Sequence, residues 1–516
     1  MTDGNHVNHR FFKEHLCEGT MKLWIDSHVF NPFDLERKIY DKMFLMFDAV
    51  HLFKCFYNNF MNQDLFVCPT FDGDDSKLHG HFSHLRQLYN LELGKPIKMA
   101  YKLSDKVLDP VSIEKTNVSL ADACFHESTI HALKYYAKYG YESFSETADI
   151  LQIFRNWFNA VNVKSLYSAK HTRDTFRSAI TKEDRGMLEF FSQFALWLDK
   201  WISSGQAGLS KQTFTAASQT TKVLIDLPNY LLDEKSLDFI LLGFLQSDAL
   251  EGRFGWYRQS SGANYHISVL QVVQSEKVIR TRLLIDQGFN MSEVKEIFSS
   301  TTTGATIKSE ADFLSDNLNI RMENIQFHKE IQQEEQSIIY YVAGAIVRTV
   351  LKKTKCEKCR ELLCAGNMPL NSEHIQDIEV RKEFTAQMSR GGLLKPSDVV
   401  YITCIHAYFY FRSIKNNSEV HDFLLNSSEP RSVFSKSFVD ILNDSTVLES
   451  IIKAECSNGH LFSQYLPNLL NALFNVMAKN EVSEMNDKIH VAKKREHNAD
   501  EKSCSKKRKI KKLKSN

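Results

Sequence analysis

The sequence predicts a helix-rich α+β chain, and three observations support this fold class. Only 20 of the 516 residues are glycine and 9 are proline, and these are the residues that most often interrupt helices. Long stretches repeat apolar residues every three or four positions, as helices do. One short apolar run near the N-terminus instead has the length of a buried strand. A chain of this length is expected to hold two to four cores.

Residues 1–66 are the predicted strand-bearing segment. The run Lys42–Asp48 (KMFLMFD) fits a buried strand that ends in an aspartate. From Leu52 to Phe60 the apolar residues take helical spacing. The polar run Asp72–Asp75 predicts a loop and a domain boundary.

The rest of the chain is predicted to be mostly helical. Residues 67–235 form an all-helical region, with helices expected over His126–Tyr139, Ser145–Val161 and Gly186–Ile202. Residues 236–298 begin with a long helix candidate over 238–260. A low-complexity linker at Ser299–Gly304 then opens a helical region over 299–480, and a disordered basic tail is expected over 481–516.

Charge is divided unevenly along the chain. The formal net charge is +1, but residues 492–516 contain eleven Lys/Arg and three Asp/Glu, which leaves the rest mildly acidic. A body of that sign does not indicate a general nucleic-acid surface. The polar N-terminus and the lack of a spanning apolar stretch predict neither secretion nor a membrane partner. The ten cysteines are therefore expected to be reduced thiols or metal ligands.

Three acidic residues are candidates for metal chemistry. Asp48 could point from the strand end into a ligand crevice, or could cap the following helix. Asp248 and Glu251 are three positions apart on a predicted helix and so share a face. Two carboxylates on one face could hold a hard cation such as Mg²⁺. The alternative is a solvated face with Arg253 or Arg258 as ion-pair partners.

Five segments contain residue patterns that are informative when they are considered together. The first comprises Asp48, His51, Leu52, Lys54, Asn58 and Asn59, and the second comprises Asp248, Leu250, Glu251, Phe254, Gly255, Arg258, Gly262 and Asn264. The others are Lys115–Ala121 after Lys102–Ser104, Tyr341–Val347 ahead of Cys356 and Cys359, and Gly391–Ser397. In this order they resemble the P-element and THAP-type transposase family, over most of residues 8–410.

The resemblance implies a ribonuclease H-like core, here split and incomplete, interrupted by a helical insertion and followed by a helical C-terminal region. Such a core uses two aspartates and a glutamate to hold two Mg²⁺ ions for DNA cleavage and strand transfer. By motif, Asp48 matches the second aspartate and Glu251 the glutamate, and both would be metal ligands. Asp248 would be an accessory acid. DNA, and further copies of the chain, are the implied partners.

The resemblance also implies departures from an active transposase. Only 47 residues precede Asp48, too few for the family's first aspartate, and Asp26 is the one tempting substitute. The zinc-coordinating THAP module and its coiled coil are not found. We therefore expect a truncated chain with impaired cleavage. The alternatives are a catalytically inactive, host-adopted DNA- or protein-binding factor, and a nuclear interaction protein whose insertion binds a nucleotide.

In this family the insertion binds guanosine triphosphate. Lys102, Lys106 and Lys115 are the candidate phosphate contacts here, with ordinary surface lysines as the alternative. The family's aromatic-Asp-x-x-Asn segment corresponds to Phe158–Asn162, so Asn159 stands at the acidic position and Asn162 at the amide position. An amide lacks the carboxylate's charge and second acceptor, which puts guanine selectivity in doubt.

Three further features have competing interpretations. Cys356 and Cys359, with Cys364 and either Cys404 or His406, have partial zinc-ligand spacing, against reduced structural cysteines. The aromatic residues Phe244, Phe254, Trp256 and Tyr257 favour core packing over a base-stacking platform. Basic clusters at Lys493–Arg495 and Lys506–Lys514, ten residues apart, favour a bipartite nuclear localisation signal over a solvated tail.

Overall fold

Helices dominate the elements of the computed structural model. The described residues are 1–2, 6–28, 40–73, 76–112, 114–260, 268–269, 271–275, 310–314, 318, 331–364, 378–427, 429–443 and 453–513. In chain order the helices and strands are α1 His6–Arg10, β1 Trp24–His28, β2 Tyr40–Phe44, α2 Ala49–Gln63, β3 Leu65–Pro69, β4 Lys77–His81, α3 Phe82–Glu92, α4 Asp105–Leu108, α5 Val118–Cys124, α6 Glu127–Ala137, α7 Phe144–Val161, α8 Ser168–Thr172, β5 Ile180–Thr181, α9 Gly186–Ser204, α10 Lys211–Asn229, β6 Phe239–Ile240, α11 Asp248–Ser260, α12 Gln333–Leu351, α13 Glu357–Leu363, α14 Ile378–Met388, α15 Asp398–Asn416, α16 Ser418–Asn426, α17 Pro430–Asn443 and α18 Leu466–Leu513.

Two compact units divide these elements. The first unit contains Met1–Phe56, Pro69–Asp75 and Asn156–Thr301, and the second contains Tyr57–Cys68, Ser76–Arg155 and Thr302–Asn516. Short 3₁₀ or π-helical turns add to the first unit at Phe11–Leu16, Thr175–Arg177, Tyr230–Glu234 and Leu242–Phe244, and to the second at Glu114–Thr116 and Phe462–Gln464.

The described strands form three two-stranded sheets, β1–β2, β3–β4 and β5–β6. In the antiparallel pair β1–β2, Trp24 lies opposite Phe44 and Asp26 opposite Lys42. The mixed, helix-rich class is therefore confirmed, but the region over 67–235 is not all-helical, because β4 and β5 lie inside it. The helix expected over 238–260 is also shorter, since β6 and a 3₁₀ turn precede α11.

The strand predicted over Lys42–Asp48 is displaced toward the N-terminus. Pairing in β2 ends at Phe44, and side chains of α10 satisfy the backbone that follows. Gln219 donates its Nε2 hydrogen to the Leu45 carbonyl at 3.0 Å. The buried Thr220 Oγ1 accepts from the Phe47 amide at 2.9 Å and lies 3.2 Å from the Phe47 carbonyl. Residues 45–48 of the run are thus buried as predicted, against α10 and beside the parallel bridge of Thr2 with Phe47, whereas Met43 is exposed.

Aromatic side chains fill the core of the first unit. Phe53 of α2 stacks on Phe158 of α7, with ring centroids 3.8 Å apart and planes 5° from parallel. Trp157 packs on Phe194 of α9 with centroids 5.8 Å apart. Its indole nitrogen also donates to Thr221 Oγ1 of α10 at 3.1 Å. These contacts fix the end of α7 against α2, α9 and α10.

The second unit is built around α12, which packs on α14, α15 and α18. Two motifs noted in the sequence meet here, at Gly344 of α12 and the segment before α15. A Cβ atom at Gly344 would lie 2.2 Å from the Leu394 carbonyl oxygen, so only glycine admits this crossing. Ser397 then caps α15, because its hydroxyl accepts from the Val400 amide at 3.5 Å.

The tail predicted to be disordered from residue 481 instead continues α18 to Leu513. Several of its polar side chains between residues 481 and 490 are buried and have partners. Glu484 contacts Lys98 at 2.7 Å and Lys415 at 2.9 Å. His490 lies 2.9 Å from an Asp105 oxygen. Charge and low hydropathy favour disorder at the level of sequence, because a count of charges does not show that Glu484 and His490 have partners. Among the described residues, no helix has the length and apolar character needed to cross a membrane.

Candidate active site

Asp48 is placed where the buried apolar run meets α2. Its amide donates to the Thr2 carbonyl at 2.8 Å, and its Oδ1 accepts from the Val50 amide at 3.1 Å. The side chain is 1% exposed. Asp48 therefore caps α2, as one interpretation of the sequence had it. Its second carboxylate oxygen is directed elsewhere.

The start of α11 reaches the same place because the segment before it docks on the end of α7. Gly243 donates its amide hydrogen to the Val163 carbonyl at 2.8 Å, and a Cβ there would lie 2.7 Å from the same oxygen. The buried Gln246 donates to the Val161 carbonyl at 3.1 Å. Since α7 also stacks on α2, the first turn of α11 is set beside the first turn of α2.

Asp48 and Glu251 converge at this point. Ser247 Oγ hydrogen-bonds to Asp48 Oδ2 and lies 3.0 Å from Glu251 Oε1. His51 Nε2 lies 3.1 Å from the same Glu251 oxygen and 3.9 Å from Asp48 Oδ2. One ligand atom each from Asp48, His51 and Glu251 lie within 4.8 Å of one another. We refer to these three residues and Ser247 as the carboxylate cluster.

The electrostatics of the carboxylate cluster favour a cation. A hydroxyl has one proton, so Ser247 can donate to only one of the two carboxylates at a time. Burial raises the pKa of Glu251, but hydrogen bonds from His51 and Ser247 outweigh it, and the net pKa lies below the usual range. Glu251 is thus held ionised beside a buried carboxylate, an arrangement that positive charge stabilises.

Asp248 is directed away from the carboxylate cluster. It is exposed, and Lys164 Nζ contacts its Oδ2 at 2.5 Å. The ion-pair interpretation of this helix face thus applies to Asp248, with Lys164 as partner in place of Arg253 or Arg258. Asp26 is likewise exposed on β1, opposite Lys42. Among the described residues it is not part of the cluster.

Core packing was the wrong expectation for three of the four aromatic residues near α11. Phe244 is 69% exposed, Trp256 51% and Phe254 43%. The guanidinium of Arg253 lies 5.6 Å from the ring centroid of Tyr257. The spacing of these residues does not show whether the helix face that they share is buried or faces solvent. Gly262 and Asn264, which end the second motif, lie outside the described residues.

The three candidate phosphate lysines lie in the second unit. Lys102 is exposed, with Nζ 6.0 Å from the Tyr101 ring centroid. Lys106 pairs with Glu114 at 3.5 Å. Lys115 is half-buried, and Asn58 of the first motif donates to its carbonyl at 3.2 Å.

Asn159 and Asn162 lie in the first unit. Asn159 is buried, donates to Asp174 Oδ2 at 2.9 Å and accepts from Arg177 at 3.1 Å. Both ends of its amide thus have partners within the unit. Asn162 is exposed where α7 has ended.

Comparison with known proteins gives this arrangement a family context. Residues 326–479 match the family described as DNA transposase THAP9, C-terminal domain. Residues 50–174 match the family described as TNP-like, GTP-binding insertion domain. The chain is related to the P-element and THAP-type DNA transposases. Three of the five motifs lie inside these two ranges, and the first motif overlaps one of them from His51 onward. Asp48 and the motif that contains Glu251 lie outside both ranges.

A curated relative agrees with this relationship. The Transposable element P transposase of Drosophila melanogaster is 21% identical over 402 residues, which cover 74% of this chain and 48% of that protein. The chain therefore spans about half the length of this relative. The Drosophila P element transposase strand transfer complex has 21% sequence identity and a TM-score of 0.42, covering 53% of this chain and 57% of that chain.

In the present chain, the sequence motifs indicate Asp48 and Glu251 but not the side chains that connect the two acids. Ser247 was missed, although it directly precedes Asp248 in the second motif. His51 was noted only as a motif residue, and its proximity to Glu251 is a tertiary contact across 200 positions. The one local signal for Ser247 was its position directly before Asp248.

Proposed function

We propose that the chain is a transposase-like, DNA-processing protein whose Asp48 and Glu251 hold a divalent cation, and whose cleavage activity is impaired. One observation carries this proposal: two acids separated by about two hundred positions share the hydroxyl of Ser247 and lie beside one imidazole. We further propose that β1, β2 and the start of α11 belong to a split, incomplete ribonuclease H-like core.

The donor set of the carboxylate cluster fits a divalent metal ion. Two carboxylates and a hydroxyl are oxygen ligands of the kind Mg²⁺ takes, and an imidazole makes Mn²⁺ equally suitable. Within such a site the cation would activate water or a 3′-hydroxyl and stabilise the leaving oxygen of a phosphodiester. Ser247 and the Val50 amide orient Asp48, while His51 orients Glu251.

The proposed impairment follows from the number of carboxylates. A two-metal site of the ribonuclease H type needs three acids, and the described part of the cluster provides two. Each missing anionic ligand leaves the dehydration of the ions less compensated. We therefore expect metal binding without efficient cleavage.

DNA is the proposed partner. The relative's solved complex is, by its title, a strand transfer complex. On the helix that carries Glu251, the exposed rings of Phe254 and Trp256 are suited to stacking on bases. Self-association on DNA is proposed with it. The basic clusters of the tail add attraction to phosphates, and we propose that they direct the chain to the nucleus.

Cleavage by the purified full chain tests the proposed function. Supercoiled DNA is incubated with Mg²⁺ or Mn²⁺ and the chain, beside Asp48→Ala and Glu251→Ala, with Asp248→Asn as a matched acidic control. The proposal expects DNA binding by all four proteins and nicking by the unaltered chain no greater than by the two alanine variants. Metal-dependent nicking that both alanine variants lose and Asp248→Asn keeps would contradict the impairment and would require a third ligand.

A catalytically inactive, host-adopted DNA- or protein-binding factor is the second candidate, favoured by the two-carboxylate cluster. The two candidates differ in metal binding. In an inactive factor, Mg²⁺ would change DNA affinity only by screening the phosphates, and therefore equally in the unaltered chain and in Glu251→Ala. The first proposal expects Mg²⁺ to change DNA affinity by a different factor in the unaltered chain than in Glu251→Ala.

Nucleotide binding is proposed from the insertion-domain match. Because the amide of Asn159 has partners in Asp174 and Arg177, it is not available to distinguish guanine from adenine. The expectation is that the chain binds GTP and ATP with affinities within about tenfold, a difference of about 1.4 kcal/mol. Competition between labelled GTP and unlabelled ATP measures this, with Lys102→Ala and Lys115→Ala as weakened variants. A preference for GTP of several hundredfold would contradict it.

A further inference from the structure

The second unit contains a sulfur-rich cluster that the proposed function does not use. Sγ atoms of Cys356, Cys359 and Cys456 and a ring nitrogen of His460 lie within 4.8 Å of one another. Cys359 and Cys456 are buried, and the other two residues are half-buried. Both pairs fall inside the matched C-terminal domain, but about a hundred positions separate them.

We infer that Cys356, Cys359, Cys456 and His460 bind one structural Zn²⁺ ion. Three thiolates and one imidazole are a ligand set that tetrahedral zinc takes in structural sites. The first pair is a Cys-x-x-Cys and the second a Cys-x-x-x-His, both short spacings that can deliver two ligands from one turn of chain.

The separations between the ligand atoms fit a tetrahedral ion. Zinc bonds of about 2.3 Å to sulfur and about 2.0–2.1 Å to nitrogen imply about 3.8 Å between two sulfurs and about 3.5 Å from sulfur to nitrogen. Cys359 Sγ lies 3.5 Å from Cys456 Sγ and 3.4 Å from His460 Nδ1. Cys456 Sγ lies 3.5 Å from the same nitrogen. A disulfide would need about 2.05 Å between the sulfurs, so these cysteines are not bonded.

The backbone around each pair of ligands positions the two side chains on the same side. Cys356 precedes α13 and Cys359 lies in its first turn. In the second pair, the Cys456 amide donates to the His460 carbonyl at 3.0 Å, and the Gly459 amide donates to the Cys456 carbonyl at 2.8 Å. Gly459 has φ +78°, a backbone conformation that residues other than glycine rarely adopt. This tight turn brings Cys456 and His460 to one side.

A second layer of contacts supports the cluster. Asn458 donates from Nδ2 to Cys356 Sγ at 3.3 Å, a bond that favours the thiolate a metal ligand requires. Cys364, Cys404 and His406, which the sequence had suggested as partners, lie elsewhere. Cys364 pairs through its backbone with Pro396, and His406 Nδ1 bonds to the Ile402 carbonyl at 2.8 Å.

Zinc at this position would join α13 to the turn just before α18. A metal that closes a loop of about a hundred residues restricts the unfolded chain strongly. We therefore expect removal of zinc by a chelator to lower the midpoint temperature of unfolding. The helices outside the zinc site should keep their structure.

Metal analysis of the full chain, purified under reducing conditions from zinc-supplemented cells, tests the inference. The result expected is about one zinc per chain in the unaltered protein and in Cys364→Ser, the matched cysteine control, with loss in the Cys359→Ser, Cys456→Ser double variant. Less than about 0.1 zinc per chain in the unaltered protein, iron in its place, or a Cys359–Cys456 disulfide found by mass spectrometry would each overturn it.

Cobalt substitution keeps the inference testable if the double variant does not fold. Co²⁺ in the unaltered chain is expected to give thiolate-to-metal charge-transfer bands and intense tetrahedral d–d bands. His460→Cys should retain one metal ion and strengthen the charge-transfer bands, because a fourth thiolate replaces the imidazole. Octahedral spectra without thiolate bands, or spectra identical in His460→Cys, would overturn the assignment. The thiolate bands cannot arise at Asp48 and Glu251, which offer no sulfur ligand, so their absence is distinct from failure of the proposed function.

Discussion

His51 Nε2 lies 3.1 Å from Glu251 Oε1, which joins the first turn of α2 to the first turn of α11. Two motifs that are distant in sequence therefore form one cluster. The elements that carry these side chains are held in place by residues outside both motifs, namely those that dock α10 on the apolar run and the segment before α11 on α7.

Thr220 is predicted to be a major support of Asp48. Thr220→Val removes a buried hydroxyl that contacts both the amide and the carbonyl of Phe47. We expect the free energy of unfolding of the unit to fall by about 1–3 kcal/mol, the cost of leaving buried backbone groups unpaired. Chemical denaturation measures this. Thr215→Val on the same helix is the control, since the exposed Thr215 bonds only within α10. Equal effects of the two substitutions would refute the role of Thr220.

Gly344 is predicted to be required for packing in the second unit. Gly344→Ala forces a Cβ to within 2.2 Å of the Leu394 carbonyl oxygen, so either α12 or the crossing segment must shift. A loss of about 1–3 kcal/mol is expected, as for other overpacked sites. Gly255→Ala on α11 is the opposite case, because nothing lies within 4 Å of its Cβ position. There the better helix propensity of alanine should stabilise by up to about 1 kcal/mol. A midpoint that does not fall in Gly344→Ala, or that falls in Gly255→Ala, would contradict the assignment of that glycine.

Glu92 is predicted to make stability depend on pH. Burial raises the pKa of Glu92 from 4.5 to about 7, although hydrogen bonds from the Met99 and Ala100 amides oppose the shift. The folded state therefore keeps a proton that the unfolded state releases above pH 4.5. This stabilisation is fully present below pH 4.5 and is lost as pH rises to about 7, by up to about 3 kcal/mol.

Glu92→Gln should flatten this part of the pH profile, because an amide does not titrate. Unfolding free energies measured at several values between pH 4.5 and pH 8 would show the difference in slope. A profile in the variant that falls as steeply as in the unaltered chain would assign the effect to other groups.

Sequence patterns predicted the helices well because their apolar faces are local. The helices expected over 126–139, 145–161 and 186–202 correspond closely to α6, α7 and α9. Motifs likewise indicated Asp48 and Glu251, since their spacing within each segment is local. What the sequence could not provide was tertiary pairing: the ion pair of Asp248 with Lys164, the exposure of Phe254 and Trp256, and the Cys456–His460 partners of the Cys-x-x-Cys motif. Each of these depends on chain crossings for which no local pattern exists.

Binding of Mn²⁺ to the full chain tests the carboxylate cluster most directly. Titration calorimetry would compare the unaltered chain with Asp48→Asn, Glu251→Gln and Asp248→Asn, all nearly isosteric. We expect the first two substitutions to weaken Mn²⁺ binding at least about tenfold, or about 1.4 kcal/mol. Asp248→Asn should leave Mn²⁺ binding unchanged because that acid is paired with Lys164. Equal binding by all four proteins, or binding lost only in Asp248→Asn, would contradict a metal site at Asp48 and Glu251.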